Sequence, residues 1–307
     1  WDAALFTNLQ PEHIEAHGSF ENYKTAKLAF FQNLQKSKKK KKTIFVNGDD
    51  ENAEYFLKAP ADEKQMYSLK TITHYSLLED GIDFTIDGQE LHGNLIGEFN
   101  LYNILAAIAF CRSQNIDWQV IKRALEKFKG IPGRMEYLQK EPFSVVVDYA
   151  HTPDSLIQVY QTIRNSKIQD TRYKLICVLG ACGGGRDKWK RPEMGKIAAE
   201  NCDEIILTNE DPYDENPQEI LNQVEKGVLE FVQNQDRFSR KEIKIKKILD
   251  RREAIKEALK IAKPGDAVII TGKGAEPWLM GPKGSKIPWD DREVVKEELV
   301  KIKNVKA

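Results

Sequence analysis

The 307-residue chain carries 47 Lys and Arg against 47 Asp and Glu, so its formal net charge is zero. Proteins that bind nucleic acid by neutralising many phosphates show a basic excess, and a bilayer-spanning helix needs roughly 20 apolar residues. This chain has no such excess, and its longest apolar run is 104–111, so both classes are excluded. At roughly 100–200 residues per domain the length predicts two domains. Four cysteines without a paired short spacing, Cys111, Cys177, Cys182 and Cys202, predict reduced thiols in a cytoplasmic protein.

In chain order, the apolar Ala3-Ala4-Leu5-Phe6 predicts a strand, and Phe20, Tyr23, Leu28, Phe31 and Leu34 follow at helical spacing behind Ser19, a candidate N-cap. Segment 36–42, six lysines and one serine, reads as a solvated loop before a buried strand at Thr43-Ile44-Phe45-Val46. Short alternating segments over 65–97, such as Asp83-Phe84-Thr85-Ile86 before Asp87-Gly88, predict antiparallel strands. Leu101, Ile104, Leu105, Ile108 and Ala109 share a helical face, and a second helix runs over 117–128. Gly130-Ile131-Pro132-Gly133 is the expected domain boundary, giving domains 1–130 and 131–307. Beyond it, short apolar runs at 144–147, 175–179, 204–207, 243–248 and 267–270 alternate with amphipathic helices. That alternation predicts an α/β, Rossmann-like doubly wound parallel sheet with ligands at the carboxyl ends of its strands.

The strand ends hold the residue types that carry chemistry. Loop 180–187 (Gly-Ala-Cys-Gly-Gly-Gly-Arg-Asp) follows a strand, and consecutive glycines let backbone amides turn toward an anion. It is neither a dinucleotide fingerprint nor a P-loop. Arg186, Lys188, Lys190 and Arg191, with a helix start near Pro192, add positive charge and free amides. Cys177 is core, whereas Cys182 in the glycine loop is either a structural or a reactive thiol. Asp148 and His151 could orient each other or a ligand, Gly272-Lys273-Gly274-Ala275-Glu276 places a carboxylate suited to an amine, and 208–213 concentrates acids at a third strand end. His13 and His17, flanked by Glu12 and Glu15, would share a helical face and could hold a metal.

Taken together, Phe6-Thr7-Asn8-Leu9 with Glu12-His13-Ile14-Glu15-Ala16-His17-Gly18, Asn100 and Asn103, Pro132-Gly133-Arg134-Met135-Glu136, Asp148-Tyr149-Ala150-His151-Thr152-Pro153, the glycine loop, and Gly272-Lys273-Gly274-x-Glu276 resemble the Mur ligase family over nearly the whole chain. Within that family they are most like the ligases that add the third residue of the peptidoglycan stem peptide.

The resemblance implies the carboxyl-side part of a central ATPase domain (1–130), joined to a carboxyl-terminal amino-acid-binding domain (131–307). It implies an ATP-dependent amide ligase that adds meso-diaminopimelate or L-lysine to a UDP-linked muramoyl dipeptide through an acyl phosphate, with ATP and Mg2+, as a cytoplasmic monomer. By the same resemblance His13 and a carbamylated Lys27 bind magnesium, and Arg134 is a cation near the phosphates. Asn100, Asn103, Asp148 and His151 contact the nucleotide, with Asp148 at the ribose. Arg186, Asp211, Tyr213, Gly272 and Glu276 bind the amino acid, Arg186 through a carboxylate and Glu276 through an ammonium.

Two departures stand out. The family's Asp-Asn-Pro-Arg is here Glu210-Asp211-Pro212-Tyr213, so the arginine that would clamp a distal carboxylate is a tyrosine, and Asp211 favours a cationic group. The sequence also holds no Gly-x-x-x-x-Gly-Lys-Ser/Thr, so this polypeptide alone is expected to have little or no ligase activity. The alternatives are another Mur-type ligase (folylpolyglutamate, cyanophycin or next-step stem-peptide) or a non-catalytic binding module.

Overall fold

The structure, a computed structural model, describes residues 1–166, 173–235 and 242–306. They form two units, Trp1–Lys129 and Gly130–Ala307.

In the first unit β1 (Ala3–Phe6), β2 (Thr43–Asn47) and β3 (Glu63–Tyr67) make a parallel sheet with β2 central and buried along its length. A one-turn helix α1 (Ile14–His17) precedes α2 (Phe20–Gln32), whose cap Ser19 accepts a hydrogen bond from the Asn22 amide at 3.1 Å. Phe31 of α2 packs with Phe6 and with Phe56 of α3 (Ala53–Leu57), sealing one core. The antiparallel expectation for 65–97 holds only for β4 (Ile72–Leu77), β5 (Ile82–Ile86) and β6 (Gln89–Gly93). The segment before them is β3, drawn to the parallel sheet by its register with β2. Asp87 and Gly88, with φ of 50° and 72°, turn β5 into β6 as a tight hairpin requires. The apolar face of α4 (Glu98–Ser113) covers β5, and α5 (Trp118–Lys127), capped by Asp117, completes this second core.

The second unit is a six-stranded sheet flanked by helices. Its chain order is β7 (Glu136–Gln139), β8 (Ser144–Val147), α6 (Pro153–Ser166), β9 (Leu175–Leu179), α7 (Lys190–Asn201) and β10 (Glu204–Leu207). These are followed by α8 (Pro217–Asn234), β11 (Lys244–Lys247), α9 (Arg251–Ile261), β12 (Ala267–Ile270), the hairpin β13 (Trp278–Met280) and β14 (Lys286–Pro288), and α10 (Asp291–Lys306). Spatially the strands run β11-β10-β9-β12-β8-β7, all parallel except the edge strand β7. The four central strands are apolar apart from Ser144 and Glu204 at their starts, because both faces are covered. Helices α7 and α8 approach through Gly195 and Gly227, where a Cβ would lie 1.9 Å from the Val224 carbonyl oxygen and 1.7 Å from that of Pro192. The chain leaves β9 for β10 on one side and returns to insert β12 beside β8. This brings the loops after β8, β9, β10 and β12 to one end of the sheet. No helix among the described residues is long and apolar enough to cross a membrane.

Candidate functional site

Those four loops wall a pocket of about 230 Å³ lined by Tyr149, His151, Cys182, Arg186, Glu210, Asp211, Tyr213, Gly272, Lys273, Glu276, Pro277, Trp278 and Met280. The structure therefore brings Arg186, Asp211, Tyr213, Gly272, Glu276 and His151 together. It adds Tyr149, Lys273 and the hairpin residues Trp278 and Met280, which sequence reasoning did not assign to a site.

The glycine loop differs from its expected use as an anion cradle. The Gly183 amide donates to the Asp211 carbonyl at 2.7 Å. A Cβ at Gly183 would stand 2.2 Å from the Pro212 carbonyl oxygen, and one at Gly184, where φ is 64°, 2.5 Å from the Tyr213 ring. These glycines let loop 208–215 pack against loop 180–187. Arg191 is likewise not a ligand-facing cation, being 1% exposed. It donates to the Cys182 carbonyl at 2.9 Å and to Gln223 at 2.8 Å, and lies 3.0 Å from a Glu215 oxygen, fastening the two loops to α8. Lys190 is buried too. Of the four cations Arg186 and Lys188 are exposed, and only Arg186 lines the pocket.

The Cys182 thiol donates to Glu210 Oε1 at 2.8 Å. Burial first, then the Glu210 carboxylate, push this thiol well above its ordinary range, so the reactive reading gives way to the structural one. Gly272, with φ of 109°, makes room for the same carboxylate, since a Cβ there would lie 2.2 Å from Glu210 Oε2.

At the pocket base Lys273, 1% exposed, donates to Asp211 Oδ2 at 2.8 Å and to Glu276 Oε2 at 2.5 Å. Asp211 Oδ1 accepts the Met280 amide at 2.9 Å, which ties the hairpin to the loop after β10. The other Glu276 oxygen accepts from the Tyr149 hydroxyl at 2.5 Å, and the Arg134 guanidinium lies 4.1 Å from the centroid of the Tyr149 ring. Burial acts to raise the Glu276 carboxyl, but the hydrogen bonds from Lys273 and Tyr149 outweigh it and hold Glu276 below the usual 4.5. Burial acts to lower Lys273, and its two carboxylates reverse that, so the ammonium is held more firmly than usual. Asp211 thus faces an internal cation, Lys273, at the base of the pocket.

Asp148 and His151 each serve the backbone. The Asp148 oxygens accept from the Met135 amide at 2.7 Å and the Ala150 amide at 2.6 Å, and His151 Nδ1 donates to the Tyr149 carbonyl at 2.8 Å. Burial is the main effect raising the Asp148 carboxyl.

In the first unit His13 is the left-handed cap of α1 (φ 57°) rather than a member of its face. His13 and His17 both pack on Tyr23, with ring centroids 5.5 and 5.4 Å away, and Lys27 Nζ lies 5.0 Å from the same centroid. Asn100 donates to the Ile96 carbonyl at 2.8 Å and accepts from Asn103 at 3.1 Å in the first turn of α4. No group of three or more His, Cys, Asp or Glu among the described residues could hold a metal. His13 and Lys27 suit magnesium only if Lys27 carries a carbamate, because that ion takes oxygen ligands and an ammonium repels it.

Among known families, residues 1–111 match the Mur ligase middle domain and residues 133–274 the Mur ligase glutamate ligase domain. UDP-N-acetylmuramoyl-L-alanyl-D-glutamate--2,6-diaminopimelate ligase of Syntrophomonas wolfei is 37% identical over 309 residues, which cover 97% of this chain and 60% of the relative. The Aquifex aeolicus ligase of that name is 38% identical over 308 residues, 97% of this chain and 59% of the relative. A solved structure of a ligase with this name superposes with a TM-score of 0.55 at 30% identity, over 98% of this chain and 60% of that one. UDP-N-acetylmuramate-alanine ligase of Thermotoga maritima, 18% identical, shares the fold with a TM-score of 0.64 over 99% of this chain and 60% of that one. The chain spans about 60% of the length of the curated relatives it matches.

Proposed function

The chain belongs to the Mur ligase family, and from that premise we propose that it serves ATP-dependent amide ligation in the cytoplasm, joining a diamino acid to a UDP-linked muramoyl dipeptide. Residues 131–307 are the amino-acid-binding domain and residues 1–130 belong to the central ATPase domain. The observation that carries this reading is the convergence of Arg186 and Glu276 on one pocket, a cation for the α-carboxylate and a carboxylate for an ammonium. Arg134, which stacks on Tyr149, would meet phosphate charge. By the family resemblance Asn100 and Asn103 in the first unit, and Asp148 and His151 in the second, would contact the nucleotide, and His13 with a carbamylated Lys27 would hold magnesium. Bound ATP and magnesium supply the activation of the substrate carboxylate as an acyl phosphate.

The relatives' names specify diaminopimelate. Here Tyr213 offers one hydroxyl where a distal carboxylate would need a guanidinium. The pocket sets two cations, Arg186 and Lys273, against three carboxylates, Glu210, Asp211 and Glu276, a formal excess of one negative charge. L-Lysine, with one net positive charge, complements it better than the neutral diaminopimelate.

Calorimetry on the 307-residue chain with L-lysine, meso-diaminopimelate and L-norleucine tests the assignment. L-Lysine should bind about tenfold or more tighter than L-norleucine, the worth of one charge-assisted hydrogen bond. Equal binding of the two would remove the ammonium site, and tighter binding of diaminopimelate would overturn the choice of lysine.

A further inference from the structure

Asp211 and Glu276 both line the pocket, and both would serve as ligands of an ammonium if only their place on the wall were considered. Their hydrogen bonds separate them. One Asp211 oxygen accepts from Lys273 and the other from the Met280 amide, and the residue is 6% exposed. The Glu276 side chain is 39% exposed. Lys273 itself is almost wholly buried, so it faces its two carboxylates and not the solvent.

We propose that Lys273 and Asp211 form an internal ion pair that positions Glu276 and the β13 hairpin, and that Asp211 is not a ligand of the incoming amino acid. The inference rests on the pocket being the amino-acid site. Lys273 occupies the place between the two acids that a substrate ammonium would otherwise take, leaving the outer side of Glu276 as the point of amine recognition. Asp211 acts through Lys273 and through the strand that carries Trp278 and Met280 to the pocket.

The titratable groups around Glu276 are Lys273 on its own loop, Tyr149 and His151 from the loop after β8, and Asp211 behind Lys273 from the loop after β10. Glu210 stands against Gly272, and Arg186 lines the same pocket from the loop after β9. Of these, Lys273 is the only ammonium bonded to Glu276 among the described residues.

The test uses the 307-residue chain, L-lysine as probe and calorimetry from pH 4 to pH 8. Because stripping one partner from a buried ion pair can unfold a domain, the informative variant is Lys273→Met with Asp211→Asn. It conserves the net charge of the pocket and keeps an acceptor for the Met280 amide. At pH 7.5 this double variant should bind L-lysine within about threefold of the unmodified chain. Its loss of binding on acidification should begin about one to three pH units higher, because Glu276 has lost its cation. Asp211→Asn alone should lower the thermal melt, because Lys273 loses one of its two carboxylates, and leave the acid limb in place, because Lys273 keeps its bond to Glu276.

Loss of binding in the double variant as complete as in Glu276→Gln would make Asp211 or Lys273 a substrate ligand and overturn the proposal, as would an acid limb that does not move. Absence of L-lysine binding in the unmodified chain would instead count against the functional reading on which the proposal rests.

Discussion

Two buried cations of the second unit, Lys273 three residues past β12 and Arg251 at the start of α9, do different things. Arg251, 2% exposed at the first position of α9, donates to both oxygens of Asp291, at 2.8 and 2.7 Å, and to the Thr271 carbonyl at 2.7 Å. Asp291 is fully buried, so this pair is closed on every side and joins α9, α10 and the end of β12. Lys273, two residues past that same Thr271, also meets carboxylates, yet one of them, Glu276, keeps an exposed edge toward the pocket. Burial of the cation alone does not mark a binding site. What distinguishes the two is whether a partner retains a face that a ligand can reach.

The sharpest separation of these roles comes from removing each cation's contribution in turn. Arg251→Met strands Asp291 in the interior, and breaking a buried pair from one side costs about 3–5 kcal/mol. Urea denaturation followed by tryptophan fluorescence should show that loss in the second unit. A change below about 1 kcal/mol would mean that Arg251 is as replaceable as a surface cation. Next in size is Gly183→Ala, which sets a methyl group 2.2 Å from the Pro212 carbonyl oxygen. Overpacking of this kind costs about 1–3 kcal/mol. It should weaken L-lysine binding along with stability, because Arg186 and Tyr213 ride on the two loops that it forces apart.

Arg251 shows what the sequence leaves legible and what it does not. The runs at 144–147, 175–179, 204–207 and 267–270 announce their strands because a parallel strand covered on both faces must be apolar throughout. β7 and the β13–β14 hairpin carry no such signal, since they are short and partly exposed. The pocket residues were legible because they stand at strand ends, but their partners were not. Lys273 and Asp211 are 62 positions apart, and which way each side chain turns depends on the packing of two loops. One clue to Arg251 was present. A cation in the first turn of a helix opposes the helix dipole, so an arginine right after the cap Asp250 points to a partner elsewhere in the fold.

Glu276→Gln should leave the fold intact and weaken L-lysine binding about tenfold, the lower end for a charge-assisted hydrogen bond because the exposed edge is screened. The pH dependence follows from the same partners. Glu276 is held below the usual 4.5, so ammonium binding is complete above that range and lost only as the pH falls through the lowered value. A calorimetric series in which binding already failed near pH 6 would show that Lys273 does not hold Glu276 as a carboxylate.

The smallest expected effect isolates one hydrogen bond. Tyr149→Phe deletes the hydroxyl that donates to Glu276 Oε1 but keeps the ring under Arg134. Glu276 then keeps Lys273 and loses its second donor, so its exposed edge is aimed less narrowly while its charge persists. A neutral donor to a half-exposed carboxylate contributes about 0.5–1 kcal/mol, which corresponds to a roughly two- to fivefold weaker affinity for L-lysine, with the acid limb displaced less than in any variant lacking Lys273. Tyr149→Leu removes the ring as well, and any further loss that it causes measures the stacking of Arg134. If Tyr149→Phe matched Glu276→Gln in affinity, the hydroxyl and not the buried ammonium would be what orients the carboxylate, and the pocket would owe its geometry to the loop after β8.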